Sequence, residues 1–127
     1  MDVFVYGTLT DRERTADILE RFSYRSSAVL DGLHRVDGRY PTLSPGGETT
    51  GRILSTPEID ALDGYEGVAS GLYVRVTVPR AEDGTVDVYV GDPTRLGVSD
   101  DWPAGGSVGE RVRQYIDSNC VVVREQY

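Results

Sequence analysis

The sequence contains no lysine, so all thirteen of its cationic side chains are arginine, and it has one cysteine and one histidine. The lone Cys120 cannot form an internal disulfide, and His34 leaves too few ligands for a structural zinc site. The sequence also lacks the run of about 20 apolar residues that a membrane-spanning helix needs, and it shows no basic segment followed by an apolar one. We therefore expect a soluble protein of the cytoplasm.

The motifs of common catalytic sites are also missing. There is no G-x-S-x-G and no phosphate-binding P-loop, and Gly7 alone falls short of the G-x-G-x-x-G of a dinucleotide site. A nucleophilic site built from His34 and Cys120 would have no supporting motif, so we interpret Cys120 as part of a buried strand. The Gly105-Gly106-Ser107 segment could hold an anion, but a loop followed by a helix N-cap explains it about as well.

Acidic residues outnumber basic ones, 21 against 13, which gives a formal net charge of −8. This charge repels phosphate backbones and anionic membrane surfaces, so neither a nucleic acid nor a membrane is expected as a partner. Arginine-only cations combined with this acidity suggest the hypothesis of a salt-rich cytoplasm, where screening weakens the repulsion between surface carboxylates. The length predicts one domain, residues 1–127, with a single core.

Strands of period two alternate with short helices along the chain. Capping boxes at Thr10 and Ser107, and the Thr56-Pro57 pair, predict three helix starts. The predicted helices cover 11–22, a short stretch after Pro57 that Gly64 ends, and 108–117; predicted strands include 26–30, 51–55 and 120–123; segments 33–47 and 93–106 are expected to be irregular.

The clearest pattern is a β-hairpin. Two alternating runs, 72–78 and 86–90, are joined through Asp83-Gly84, which is typical of a tight turn. Because side chains alternate along a strand, the valines share one face. The other face carries Tyr73, Arg75, Asp87 and Tyr89. We expect one face to cover a core and the other to line something.

The opening stretch VFVYGTL, residues 3–9, is an apolar strand that turns at Tyr6, Gly7 and Thr8. A buried strand has to end somewhere, and glycine and threonine suit a turn and a cap. Alternatively, bare backbone N–H groups at such a turn would bind an oxyanion or a carboxylate. Glu66 also has two interpretations. It could be a site residue, but an acidic residue after a helix is commonly an exposed surface group.

Several short motifs, read together and in order, resemble the gamma-glutamylcyclotransferase family, in its AIG2-like branch. They are Phe4-Val5-Tyr6-Gly7-Thr8-Leu9, Tyr40-Pro41, a strand around Gly51, Leu62-Asp63-x-Tyr65-Glu66-Gly67, Tyr73-x-Arg75 and Tyr89-Val90. The resemblance covers about residues 3–92. It implies an α+β fold, a small mixed β-barrel or sheet with short flanking helices.

The resemblance also implies an activity and its residues. The substrate-binding turn falls on Tyr6, Gly7, Thr8 and Leu9, the catalytic glutamate on Glu66, and a pocket tyrosine on Tyr73. The implied partner is a small γ-glutamyl compound, whose α-amine attacks its own γ-carbonyl to release an amine and 5-oxoproline. No metal or cofactor is required, and the oligomeric state is not implied.

The implied chemistry makes two demands on the site. A glutamate near pKa ~4.3 is a weak base for an α-ammonium near ~8, so Glu66 should be desolvated. Tyr6, Tyr65 and Tyr73 are candidate walls for such a pocket. A cation beside Glu66 would lower its pKa, so we expect Arg75 to pair with Asp87 or to face solvent.

Other interpretations stay open at this point. The chain could be a binding module that keeps the pocket without turnover, since fold does not fix function. It could also be an interaction domain, which predicts no pocket between the first turn and Glu66. The substrate is open among glutathione, a γ-glutamyl amino acid, a γ-glutamyl-lysine isopeptide and another γ-glutamylated metabolite, although the net charge argues against a strongly anionic leaving group.

Overall fold

The computed structural model describes residues 1–103 and 105–126. In this part of the chain, six strands and four short α-helices follow a mixed order. They are β1 Asp2–Val5, α1 Arg12–Ala16, β2 Ser23–Asp37, β3 Pro41–Ser55, α2 Ile59–Glu66, β4 Tyr73–Pro79, β5 Thr85–Gly91, α3 Pro93–Leu96, α4 Val108–Ser118 and β6 Val122–Gln126, with a one-turn 3₁₀ helix at Thr8–Thr10 between β1 and α1.

The six strands form one mixed sheet in the order β4-β5-β1-β3-β2-β6. β1 runs parallel to β5, with Val3 opposite Asp87, and the other neighbours are antiparallel. The sheet is curled, because the N–H of Ala81 beyond β4 donates a 2.8 Å hydrogen bond to the carbonyl of Val123 in β6, the opposite edge strand. The expected α+β fold, a small mixed barrel-like sheet with short flanking helices, is confirmed.

The alternation of side chains along β1 divides the core in two. Phe4 packs on one face with valines of the β4–β5 hairpin, where α4 contributes Val112 and Ile116. Val3 and Val5 point to the opposite face. There they meet a cluster from the helix α2, the hairpin and the segments after β1, namely Leu9, Leu19, Leu54, Leu62, Tyr73, Tyr89 and Leu96. This second cluster supports the candidate site.

The predicted hairpin is confirmed by the pairing of β4 with β5, in which Arg75 lies opposite Tyr89 and Thr77 opposite Asp87. The helix after Ser107 is confirmed too, since the Ser107 hydroxyl accepts the Glu110 N–H at the start of α4. Segment 93–106 is not wholly irregular, because Asp92 caps the short helix α3.

Segment 33–47, expected to be irregular, is instead part of two long paired strands. β2 and β3 are antiparallel from Ser23 opposite Ser55 to Asp37 opposite Pro41, with shifts in register on the way. The glycines that suggested a loop, Gly46 and Gly47, have positive φ and lie at an irregular part of the ladder. Pairing between strands thus overrides the local preference of this segment for turns.

Two of the predicted helices have the wrong boundaries. α1 covers only five residues rather than 11–22, and its N-cap is Asp11, whose side chain accepts the Glu13 N–H at 2.9 Å, rather than Thr10. α2 continues through Gly64 and ends at Gly67, which has φ 71° in the left-handed region. Glu66 is therefore the last residue of the helix and does not follow it.

The predicted buried strand 120–123 is displaced towards the C-terminus. β6 begins at Val122, and Cys120 is exposed rather than buried. None of the helices formed by residues 1–103 and 105–126 has the length and the apolar character needed to cross a membrane.

Candidate active site

A cavity of about 340 Å³ opens where the end of β1, the end of α2 and the β4–β5 hairpin meet. Its wall is largely aromatic and aliphatic. The lining residues are Phe4, Val5, Tyr6, Gly7, Thr8, Leu9, Arg14, Tyr40, Pro41, Tyr65, Glu66, Leu72, Tyr73 and Tyr89. An apolar cavity with few polar groups is the usual form of a small-molecule site.

Local structure explains how the turn after β1 comes to face this cavity. β1 is central in the sheet, between β3 and β5, so its last residues have a fixed position. The chain then closes a 3₁₀ turn, in which the Thr10 N–H donates to the Gly7 carbonyl at 3.1 Å. The first N–H groups of such a turn have no acceptor inside it, and the residues that carry them, Thr8 and Leu9, line the cavity.

Glu66 is the one carboxylate among the described residues that line the cavity. Its side chain is half-buried at the end of α2, and burial raises the pKa of Glu66 from its ordinary value of 4.5 to about 7. The expectation of a desolvated Glu66 is thus confirmed. A carboxyl group with this pKa can both accept and return a proton near neutral pH.

Three buried tyrosines form much of the wall. The hydroxyl of Tyr6 donates a 2.6 Å hydrogen bond to the carbonyl of Tyr89, and that of Tyr73 donates one of 2.6 Å to the carbonyl of Pro41. Burial, followed by neighbouring groups that include the Glu66 carboxylate, raises the pKa of each tyrosine above its ordinary value of 10. The three hydroxyls therefore stay protonated at neutral pH, so Glu66 is the better candidate for proton exchange.

An ion cluster supports α2 from behind the cavity. Nη1 of Arg75 donates a 3.0 Å hydrogen bond to Asp87, and its Nε lies 3.0 Å from Asp63 without hydrogen-bond geometry. Burial alone would lower the pKa of Arg75, but the hydrogen bond to Asp87 and the two carboxylates outweigh it and raise the pKa. The expected pairing of Arg75 with Asp87 is confirmed.

The open side of the cavity carries exposed aromatic side chains. Tyr40 is 51% exposed and Tyr65 45% exposed. The hydroxyls of Thr8 and Tyr65 lie 3.3 Å apart and join the turn after β1 to α2. Arg14, on α1, is also exposed here.

The structure brings all six predicted site residues together around this one cavity, although they are up to 67 residues apart in the sequence. Their roles in binding and catalysis stay predictions. Sequence reasoning assigned no site role to Arg14, Leu72 or Tyr89. For Tyr89 a signal existed, since the hairpin alternation puts it on the same face as Tyr73; for Arg14 no signal existed.

The other candidates from the sequence lie elsewhere. Neither His34 nor Cys120 lines the cavity, and Nδ1 of His34 bonds to the carbonyl of Gly46 at 3.0 Å. The Ser107 hydroxyl caps its own helix, which favours the structural interpretation of that loop. Within residues 1–103 and 105–126, no three His, Cys, Asp or Glu side chains come together in a way that could hold a metal ion.

Known proteins share both the sequence pattern and the fold. Residues 3–104 match the family described as "Gamma-glutamyl cyclotransferase, AIG2-like". The chain is 40% identical over 85 residues to AIG2-like protein C of Arabidopsis thaliana, a match that covers 61% of this chain and 48% of that protein. The chain spans about half the length of the curated relatives it matches.

Solved structures agree with this result. A protein of Arabidopsis thaliana solved in solution is 28% identical with a TM-score of 0.58, covering 92% of this chain and 83% of that one. A structure named gamma-glutamyl cyclotransferase has the same fold at 18% identity, with a TM-score of 0.61 and coverage of 94% and 99%. With its cavity, its turn after β1 and a match over most of its length, the chain belongs to the gamma-glutamyl cyclotransferase, AIG2-like family.

Proposed function

We propose that this protein is a γ-glutamyl cyclotransferase that releases 5-oxoproline and a free amine from a small γ-glutamyl compound. The α-nitrogen of the substrate attacks its own γ-carbonyl carbon, and the bond from that carbon to the departing nitrogen breaks. The α-ammonium nitrogen loses two of its protons to become the ring amide. The departing nitrogen gains two and leaves as an ammonium, so the protons balance without another reactant. Glu66 carries these protons.

The observation that carries the proposal is the position of Glu66, the one carboxylate among the described residues that line the cavity, where burial raises its pKa. An α-ammonium near pKa ~8 and an ordinary glutamate near ~4.3 differ by about 5 kcal/mol in proton affinity. With the pKa of Glu66 raised to about 7, the difference in proton affinity falls to about 1 kcal/mol. Because the attacking and the attacked groups belong to one molecule, binding the folded conformer supplies much of the remaining acceleration.

The turn after β1 is the proposed site of oxyanion stabilisation. Ring closure puts a negative charge on the γ-carbonyl oxygen, and backbone N–H groups at Gly7, Thr8 and Leu9 would stabilise that charge by donating hydrogen bonds to the oxygen. The rings of Tyr6 and Tyr73 would pack against the glutamyl chain, since their hydroxyls already donate to protein carbonyls. Support for this arrangement comes from the position of all these residues around one cavity.

The direct test is release of 5-oxoproline from γ-glutamyl amino acids, γ-glutamyl amines and glutathione by the wild-type protein and by the Glu66→Gln variant. Loss of a general acid–base group costs about 10²- to 10⁴-fold in kcat. Asp60→Asn is the matched control, because Asp60 is an exposed carboxylate on the same helix and does not line the cavity. We expect this control to keep its turnover.

The outcomes separate the possible functions. Full turnover by a folded Glu66→Gln protein would exclude Glu66 from the mechanism. If the wild-type protein binds γ-glutamyl compounds in calorimetry but releases no 5-oxoproline from any of them, the site belongs to a binding module. If it neither binds nor converts them, the proposed function is wrong.

A further inference from the structure

Arg14 is the one cation among the described residues that line the cavity. We propose that it is a specificity-determining residue that binds a carboxylate on the departing amine, so that γ-glutamyl amino acids are preferred over γ-glutamyl amines without a carboxylate. This inference rests on the proposed function, and it names the substrate class within it.

The position of Arg14 is fixed by its neighbour in the chain. Thr15 is fully buried, and its hydroxyl hydrogen-bonds to the carbonyl of Leu9 at 3.0 Å. The hydroxyl of Tyr24 donates to the same carbonyl at 2.5 Å. These bonds tie α1 to the turn after β1, so Arg14 extends from a rigid element beside the residues proposed to bind substrate.

The guanidinium of Arg14 is also free to bind a ligand. It has no ion pair and no side-chain hydrogen bond with any residue that the structure describes. Its neighbour Arg12 differs, because its guanidinium lies 5.6 Å from the ring centroid of Phe22 and 5.5 Å from that of Tyr24. A planar guanidinium binds a carboxylate through two parallel N–H···O bonds, which makes it well suited to this ligand.

The geometry of the cavity decides which part of the substrate reaches Arg14. Glu66 is half-buried, whereas Arg14, Tyr40 and Tyr65 line the same cavity and are exposed, which marks its open side. Glu66 has to meet the α-nitrogen of the glutamyl group, so the glutamyl end lies in the deeper part. The departing amine then points to the open side, where its carboxylate meets Arg14.

The overall charge of −8 does not contradict a carboxylate at this position. Charges further away than about 8 Å are largely screened at physiological salt, whereas a guanidinium in contact with the ligand is not. A cation in contact with the ligand therefore affects binding more than the net charge does. We thus expect the site to bind a carboxylate on the departing amine, although the net charge alone argues against one.

The test uses two ligands that differ by one group. γ-Glutamylalanine and γ-glutamylethylamide are identical except for the carboxylate on the departing amine. Their dissociation constants are measured by calorimetry with two proteins. The first is Glu66→Gln, which should bind the ligands without converting them, and the second carries both Glu66→Gln and Arg14→Met. We expect the first protein to prefer γ-glutamylalanine by about 10- to 100-fold, the value of a charge-assisted contact, and the second to lose that preference.

Two further variants serve as controls. Arg21→Met makes the same change in net charge at an exposed arginine outside the cavity, and it should keep the preference. Arg14→Lys retains the charge but not the planar fork, and it should keep part of the preference.

Three results would overturn the inference. Equal weakening of both ligands by Arg14→Met would assign Arg14 to the α-carboxylate of the glutamyl group, which both ligands share. An unchanged preference for γ-glutamylalanine in the Arg14→Met protein would show that Arg14 does not bind the departing group. Failure of Glu66→Gln to bind either ligand would contradict the inference together with the binding mode on which it rests. Turnover by the wild-type protein is assayed separately, so 5-oxoproline release without an Arg14-dependent preference would leave the proposed function standing and this inference wrong.

Discussion

The hydroxyl of Tyr89 donates a 2.7 Å hydrogen bond to the carboxylate of Asp63, and so joins the sheet to the helix that ends in Glu66. Residues three apart on a helix lie on neighbouring parts of its surface, which places Asp63 close to Glu66. Tyr89 itself lines the cavity. The position of Glu66 in the site therefore depends on a contact made behind it.

Loss of this contact should loosen α2. We expect Tyr89→Phe to lower the free energy of unfolding by about 1.5–3 kcal/mol, since hydrogen bonds to charged groups contribute about that much. Urea denaturation measures this loss, and kcat for 5-oxoproline release should fall with it. Tyr115→Phe is the control, because it removes a hydroxyl that bonds to the carbonyl of Gly32, outside the cavity. A fall in kcat no larger than that of the control would restrict Asp63 and Tyr89 to a structural role.

The activity should follow the titration of Glu66. The ionised carboxylate is the form that takes a proton from the substrate, and its pKa is about 7, so kcat/KM should rise as the pH increases through 7. It should fall again near pH ~8, where the free substrate loses its α-ammonium proton. A pH profile of kcat/KM measures both limbs. An acidic limb near pH 4.5 would show that Glu66 is not desolvated when it acts.

The same burial should make the ionised form of Glu66 destabilising to the folded protein. Because its pKa is raised on folding from 4.5 to about 7, the stability held below pH 4.5 is lost as the pH rises through 7. One pKa unit corresponds to about 1.4 kcal/mol, so Glu66→Gln should be more stable than the wild-type protein by up to about 3 kcal/mol at pH 8 and by almost nothing at pH 4. Denaturation at both pH values tests this difference. An advantage that does not change with pH would have a cause other than ionisation.

Close packing at Gly51 gives a test of the fold near the site. A Cβ at Gly51 would lie 2.2 Å from the carbonyl oxygen of Val5 and 2.7 Å from Cζ of Phe4, so β1 would have to move. We expect Gly51→Ala to cost about 1–3 kcal/mol or more and to reduce turnover, since β1 leads into the substrate-binding turn.

Gly64→Ala is the matched control for Gly51→Ala. A Cβ at Gly64 has nothing within 4 Å, and this residue lies inside α2, where alanine is favoured over glycine by about 0.5–1 kcal/mol. Thermal denaturation of the two variants should therefore give opposite shifts in Tm. Equal shifts would contradict the close approach of β3 to β1 at Gly51.

Local sequence patterns predicted the elements that turns, caps and side-chain alternation within one segment specify. The β4–β5 hairpin follows from alternation and an Asp-Gly turn, and α4 follows from the Ser107 cap. The errors arose where local rules compete with tertiary pairing. Prolines and glycines in 33–47 indicated a loop, yet β2 and β3 pair along this segment and bring Tyr40 and Pro41 to the cavity.

The sequence by itself determined the family motifs, the two faces of the hairpin and the six candidate site residues. Only the tertiary structure decided that these residues surround one cavity, that Arg14 and Tyr89 also line it, and that the pKa of Glu66 is about 7. The physical reason is that a motif depends on neighbours in the chain, whereas burial depends on contacts between segments far apart in sequence. Desolvation of Glu66 is such a property, because its surroundings come from β1, α2 and the hairpin together.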